Sequence, residues 1–409
     1  MQEAEGGADG RRNQGALAGV RVLDLGTMVA GPVAATLLGD FGAEVIKVEQ
    51  PAGGDSVRSN GPAYREHGLW WQVEGRNKRS VTVNLREAEG QEIIRQLVAQ
   101  SDVVIENFRP GTMAKWGLDY ESLKRVNPRI VMLSVSGYGQ TGPYSERAAY
   151  DRIALAFGGL LHITGEAEGP PLRPGVAIAD YMSAILGAFS VVTALYARDI
   201  KGGAGQQIDL ALYEAVFRFT DILYTAYDKL GTVRSRRGNL HFAAAPGDHF
   251  RTSDGRYLVV TVSNDSMFKR LCDAMGRSDL PLDERFSSHA SRWQNIVEIN
   301  GIVAGWILAT PVDQVCAALD RNGVAHSLVY TAADIASDPH YLARQAIVSV
   351  SHPEIGEIKM PAPQPKMSGT PAGPVSVAQE LGQETDAILS SLIGLNDARL
   401  SNLRERGVI

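Results

Sequence analysis

The chain has 409 residues, 44% hydrophobic and 21% charged, with a formal net charge of −6. Such a balance describes a soluble globular protein of roughly two or three domains with ample core. It argues against general binding to nucleic acid or acidic membranes, so a polyanionic ligand would have to be held by local basic clusters.

The opening "MQEAEGGADGRRNQGALAG" lacks the apolar stretch of a signal peptide and is polar and Gly-rich, which predicts disorder up to about Ala16. Next, "VRVLDLGTMVAGPVAATLLGDFGAEVIKVEQP" reads as strand, turn, helix, strand, with Gly–Pro opening the helix and a glycine closing it. Glu49 falls where a dinucleotide-binding unit carries its ribose-binding acid. The turn is "GTMVAG" rather than G-x-G-x-x-G, however, so the glycines that admit a pyrophosphate are missing. Strand-like runs recur at "KRSVTVNL", "SDVVIENF" and "RIVMLSVSGYG", with "EGQEIIRQLVAQ" and "DYESLKRVN" as helices between them. That alternation predicts an α/β fold with a mainly parallel, doubly wound sheet.

Two basic clusters abut these strands: Arg76, Lys78, Arg79 and Arg86, then Arg109 and Lys115. Crevices in such folds open at the carboxyl ends of strands, where these cations can meet phosphates or simply form a solvated rim. The Gly-rich turn in "VSGYGQTGPY" offers backbone N–H groups at the same end.

From Tyr181 to Ala197 seventeen residues carry no charge, and Asp180 stands just before them. The run is short for a membrane span and holds Ser183, Gly187, Ser190 and Thr193, so it predicts a buried helix. Asp180 then has two readings. It caps the helix, or it is a carboxylate held ionised by the helix start and competent as a nucleophile toward an acyl group.

Residues 225–335 change texture and predict a smaller α+β domain, with a hairpin at Asp254–Gly255 and helices after it. The large domain occupies 17–224. Residues 336–409 begin Pro-rich and extended and end in "GQETDAILSSLIGL", a helix expected to return to the large domain. Cys272 and Cys316 form no disulfide framework and imply a reducing, cytoplasmic setting. The eight histidines show no metal-ligand spacing, and no G-x-S-x-G elbow occurs, so neither a metal site nor a serine hydrolase is expected.

Taken together, "VLDLGTMVAGPVAATLLGDFGAEVIKVE", "NKRSVTVNL", "DVVIENFRPGTMAKWGLDYESLKRVNPRIV", "SGYGQTGPY", "GGLLHITGE" and "ADYMSAILGAFSVVTALYARDIKGGAGQQIDLALYEA" resemble the class III CoA-transferase (CaiB/BaiF) family. That family includes formyl-CoA transferase and α-methylacyl-CoA racemase. The resemblance implies a Rossmann-like large domain, an inserted small domain and an interlocked homodimer. It implies CoA thioester as a substrate, with no permanently bound cofactor.

On matching positions, the resemblance implies that Met28, Val29 and Ala30 lie beside the pantetheine. Val83, Asn84, Arg86, Asn107, Phe108, Arg109, Lys115, Val135, Ser136, Gly137 and Tyr138 match CoA contacts. Gln50 stands where the family carries a phosphate-binding arginine. Asp180 matches the aspartate that becomes acylated. The family's racemases have a histidine where this chain has Tyr150, before Asp151; a phenol is a poor base at neutral pH, which favours CoA transfer over α-proton exchange. Arg147, Arg152 and Arg173 flank the catalytic segment and suggest a small dicarboxylate acceptor such as malate, with succinyl-CoA as a donor. A lid turn at Ala245–Gly247 is the expected source of oxyanion-binding amides. It carries only Gly247 where the family has a run of glycines. A non-catalytic CoA-binding protein is the reading from a different class.

Overall fold

Six short β-branched segments form one parallel sheet: β1 (Arg21–Asp24), β2 (Glu44–Glu49), β3 (Lys78–Thr82), β4 (Val103–Glu106), β5 (Val131–Ser136) and β6 (Gln207–Ala211). Their spatial order is β3-β2-β1-β4-β5-β6, and every pairing is parallel. The computed structural model describes residues 15–409. The expectation for residues 1–14 lies outside them, and Gly15 already belongs to a turn, accepting from the Ala18 amide at 3.2 Å.

Parallel strands need crossover helices, and these cover both faces of the sheet. One face carries α1 (Ala30–Asp40), whose Pro32 sits in the first turn where no N–H is needed. The other carries α2 (Ala88–Val98), whose Ile93, Ile94, Leu97 and Val98 share a core with Leu23, Ile46, Val81 and Val104 of the strands. Further along lie α3 (Asp151–Phe157), α4 (Ile178–Asp199), α5 (Leu212–Arg218) and α6 (Leu223–Leu230).

α4 packs against α1 and β5. A Cβ on its Gly187 would meet the Leu133 side chain at 2.8 Å, so a larger residue there would have to displace it. The expectation of a buried helix needs correction. Ala179, Ser183, Ala184, Gly187 and Val191 face inward, whereas Ile185, Phe189, Val192 and Tyr196 form an exposed stripe at i, i+4, i+7 and i+11. α4 is long and apolar enough to cross a membrane by composition, yet one of its faces is protein core.

The chain divides into two compact units, the first comprising residues up to Leu160, Pro174–Asp228 and Arg344–Ile409, the second Leu161–Arg173 and Lys229–Ala343. In the second, β7 (Gly247–Arg251), β8 (Tyr257–Thr261) and β9 (His326–Leu328) pair antiparallel in the order β9-β8-β7. The β7–β8 hairpin turns at Gly255, whose φ of 87° suits glycine. Helices α7 (Asp265–Met275), α8 (Ile296–Ala309) and α9 (Val312–Arg321) supply Phe268, Leu271, Val303, Ile307, Val315 and Leu319 to its core. Cys272 is buried there, and burial pushes its thiol up to about 12, so it is inert; both cysteines are free.

The final segment of the first unit forms an antiparallel hairpin, β10 (Ile347–His352) and β11 (Gly356–Pro361), then α10 (Thr385–Ile393) and α11 (Asp397–Glu405). Ile388, Leu389, Leu400 and Leu403 enter the core beneath α2.

Candidate active site

The strand order reverses between β1 and β4, and ligands of doubly wound sheets bind where the connections after two such strands part. A cleft of about 520 Å³ lies there. The turn after β1 (Thr27–Ala30), the turn after β4 (Asn107–Pro110), the end of β5 with Gly137, the loop Arg147–Tyr150 and Asp180 line it, with Ser56 and Leu212. All belong to the first compact unit.

A buried ion network shapes the first turn. Lys47, wholly buried on β2, donates to the Gly26 carbonyl and lies 3.1 Å from Asp55 and 3.7 Å from Asp24. Burial would push its ammonium down, but Asp24, Asp55 and Glu49 outweigh that and hold its pKa above the ordinary lysine value. Asp24 also accepts from Lys78 at 2.9 Å. Asp55 in turn accepts from the Met28 amide at 3.1 Å, and Met28 has φ 64°. A left-handed non-glycine residue is costly, and it persists here because Asp55 and Lys47 fix the turn. Asn107 completes the frame: its Oδ1 accepts from Thr27 N–H at 2.7 Å and its Nδ2 donates to Thr27 O at 2.8 Å. The two turns across the reversal point are thus tied to each other.

Held this way, α1 starts without a side-chain cap. The amides of Val29 and Ala30, which line the cleft, have no acceptor among the described residues. Gly137 allows the opposite wall to close in, since a Cβ there would lie 2.3 Å from that of Ala149.

Asp180 is the third residue of α4, and it does not cap the helix; Ala177 is the N-cap and makes no side-chain bond. The cap comes from another helix: Asp151, at the start of α3, accepts from the Ala179 amide at 2.8 Å. Ala179 is buried, and the Tyr181 hydroxyl donates to Glu74 at 2.8 Å, so both neighbours of Asp180 are anchored. The expectation that the helix start keeps Asp180 ionised is also corrected. Burial, then the charge of Asp151, pushes its carboxyl up from 3.8 to about 7. A carboxyl near neutrality is a stronger base and nucleophile once its proton leaves than an ordinary aspartate.

Of the residues singled out from sequence, the cleft gathers Met28, Val29, Ala30, Asn107, Phe108, Arg109, Val135, Ser136, Gly137, Arg147, Tyr150 and Asp180. Gln50, Val83, Asn84, Arg86, Lys115, Tyr138 and Arg152 do not line it. Val83 is buried in the core beneath α2, and Tyr138 packs edge-on against Phe157 at 5.1 Å. Arg173 and Gly247 belong to the second compact unit.

Three of the basic residues read as phosphate ligands are instead committed to carboxylates of the fold. Arg76 forks onto Asp40 at 3.0 and 2.6 Å, Lys78 holds Asp24, and Arg79 bridges Glu44 and Glu384. Arg86, Arg109 and Lys115 have no carboxylate partner among the described residues and remain available to an anion. Glu49 is equally committed, accepting two 2.7 Å bonds from Arg58, so no ribose acid is free at the end of β2. The expected oxyanion turn fails as well. Ala245 N–H bonds Val262 O at 2.9 Å, Gly247 N–H bonds Asn300 at 3.2 Å, and Pro246 has none to give.

Lys47 and Asp55 escaped the sequence reading, and Asp151 entered it only as the residue after Tyr150. For Lys47 a signal existed: "EVIKVE" places one cation among Val45, Ile46 and Val48 in the middle of a buried strand. Asp55 carried none, and neither did the bond of Asp151 to the Ala179 amide, because both depend on partners distant in sequence.

Residues 17–385 match the profile of CoA-transferase family III. The chain is 42% identical to a succinyl-CoA–D-citramalate CoA-transferase of Chloroflexus aurantiacus, an alignment covering 95% of this chain and 97% of that one. It is 41% identical to the beta subunit of a succinyl-CoA–L-malate CoA-transferase from the same organism, over 98% and 100% of the two chains. Among solved structures, a CAIB/BAIF family protein from Brucella suis superposes with a TM-score of 0.83 at 34% identity, covering 93% of this chain and 100% of that one.

Proposed function

The chain belongs to CoA-transferase family III, and on that premise we propose that it moves CoA from succinyl-CoA to a small dicarboxylic acid such as malate or citramalate, with Asp180 as nucleophile. The observation that carries this is Asp180 itself, a partly buried carboxyl in the cleft at the sheet's reversal point. The substrates of the two Chloroflexus relatives support the choice of donor and acceptor.

Ionised Asp180 attacks the thioester carbonyl, the C–S bond breaks, and an aspartyl–succinyl anhydride and CoA thiolate form. The thiolate then attacks the aspartyl carbonyl, expelling succinate and leaving an aspartyl–CoA thioester. The acceptor carboxylate attacks that carbonyl in turn, releasing thiolate and forming a second anhydride. Attack of the thiolate on the acceptor's carbonyl yields the new acyl-CoA and restores Asp180. Thioester free energy is conserved throughout, so no nucleotide triphosphate is consumed. Val29 and Ala30 amides are placed to receive the developing oxyanions, where the α1 dipole also favours negative charge. Arg109 serves the phosphates of CoA, with Arg86 and Lys115 further along the same edge.

Arg147 and Arg109 are the cations of the cleft wall. Arg147 stacks on Tyr144 at 3.6 Å and has no carboxylate partner among the described residues. It is the group to receive the free carboxylate of a dicarboxylyl chain. Arg147→Gln is expected to lower kcat/KM for succinyl-CoA about 100-fold while leaving butyryl-CoA within about threefold, the loss of one charge-assisted pair. Equal loss on both thioesters would remove Arg147 from this role.

The exposed stripe of α4 and the exposed Phe217, Tyr224 and Tyr227 are covered, in this reading, by a second copy in an interlocked homodimer, with the second compact unit as the inserted domain. Phe189→Glu should shift the mass in sedimentation toward one chain; an unchanged mass would place the interface elsewhere. The setting is cytoplasmic.

The decisive assay mixes succinyl-CoA with malate, citramalate, glutarate and acetate and follows thioester masses. New dicarboxylyl-CoA without added ATP is expected. Hydrolysis alone, or α-proton exchange in deuterated water without an acceptor, would overturn the reading.

A further inference from the structure

Away from the cleft, three distant segments bring together the side chains of a metal site. His67 lies in the short hairpin of Ala63–Tyr64 and His67–Gly68, His352 ends β10, and Glu380 precedes α10. One ligand atom from each lies within 4.8 Å of the others. The two imidazoles meet edge to face at 4.7 Å, and His352 is only 3% exposed. We propose that His67, His352 and Glu380 bind one divalent transition-metal ion of the zinc class, with Glu354 orienting His67.

The hydrogen bonds assign the atoms. Nε2 of His67 lies 2.9 Å from Glu354, and its Nδ1 faces Glu380 at 3.6 Å. Nδ1 is therefore the ligand, while Nε2–H is held by Glu354, the carboxylate–histidine–metal arrangement that fixes ring and tautomer. Nδ1 of His352 accepts from the Glu354 amide at 3.2 Å, which leaves Nε2 as its ligand. Metal binding at Nε2 displaces its proton, and the ring regains one at Nδ1 by giving up that long bond.

Two nitrogens and a carboxylate oxygen suit zinc in a tetrahedron completed by water. Ligand atoms about 2 Å from such an ion stand roughly 3.3 Å apart, so the cluster must contract. Glu380 can supply the movement, since its side chain is 60% exposed. The bound ion would clamp the hairpin, β10 and the segment before α10. That segment's Gln379 carbonyl already accepts from Arg58 and Trp71. The role is structural and independent of Asp180 chemistry.

The test titrates metal-free full-length protein with Zn²⁺ against a chromogenic chelator, and with Co²⁺ while visible absorption reports coordination. His67→Ala, Glu380→Ala and an exposed-histidine control, His340→Ala, run alongside. One ion per chain is expected, weakened at least about tenfold in the first two variants and unchanged in the control, with four-coordinate Co²⁺ absorption. A Zn²⁺-induced rise in melting temperature that disappears in Glu380→Ala, whose exposed site should not compromise folding, would accompany it. No saturable binding, or binding undiminished in either ligand variant, would overturn the proposal.

Discussion

Replacing Asp180 by Asn is expected to lower CoA transfer by at least about 10⁴-fold and to leave the protein more stable than the native chain at pH 8. The two effects have one cause. Burial, then Asp151, pushes the Asp180 carboxyl from 3.8 to about 7, so the fold favours its protonated form. A carboxyl with a raised folded-state pKa contributes stability that is complete below the unfolded value and is lost as pH rises through about 7. An amide carries no such penalty. Asp180→Asn should therefore gain on the order of 1–2 kcal/mol over the native chain at pH 8, after discounting for partial exposure, and nothing near pH 3.5. Urea unfolding at the two pH values measures it, because groups not coupled to Asp180 cancel in the comparison of the two proteins. Catalysis has the opposite slope: only the ionised form attacks, so kcat/KM of the native enzyme should rise with pH and level off above about 7. Asp151→Asn removes the neighbouring charge yet keeps an oxygen for the Ala179 amide, so the inflection should move to lower pH. A flat profile from pH 5 to 8 would contradict this account of Asp180.

The second large effect lies at Lys47. Lys47→Met leaves Asp55 and Asp24 buried with one cation fewer, and breaking such a network by removing one partner destabilises by about 3–5 kcal/mol. Lys78 compensates in part, because it holds the other oxygen of Asp24; Asp55 has no such second cation within salt-bridge distance among the described residues. Because Asp55 also pins the Met28 amide, the turn bearing the Val29 and Ala30 amides should relax. Activity should then fall even under conditions where the variant stays folded. A denaturation midpoint matching the native chain would show that the network is dispensable.

Much of this was legible from one dimension. Short β-branched runs separated by 3.6-period segments announce a parallel sheet, because only crossover helices can join parallel neighbours. Asp180 stood out as a lone charge ahead of seventeen neutral residues. What one dimension hid was pairing at a distance. Arg79 reads as a phosphate ligand until Glu384, 305 residues away, is folded against it. His67 and Glu354 are 287 residues apart, so no spacing rule could join them. The ionisation of Asp180 was misjudged for the same reason. A helix start predicts a lowered carboxyl pKa, but burial and the carboxylate of another helix reverse the sign. The exposed stripe of α4 was equally hidden, since an unbroken apolar run does not say which face the chain itself covers.

The claim on which all of this depends is that Asp180 becomes covalently acylated. Quenching the enzyme in acid within its first turnovers on succinyl-CoA, then weighing the peptide that carries Asp180, tests it most directly. The predicted result is added succinyl or CoA mass on that residue, discharged when the acceptor acid is supplied. Product that accumulates while the peptide keeps its unmodified mass at every quench time would contradict it.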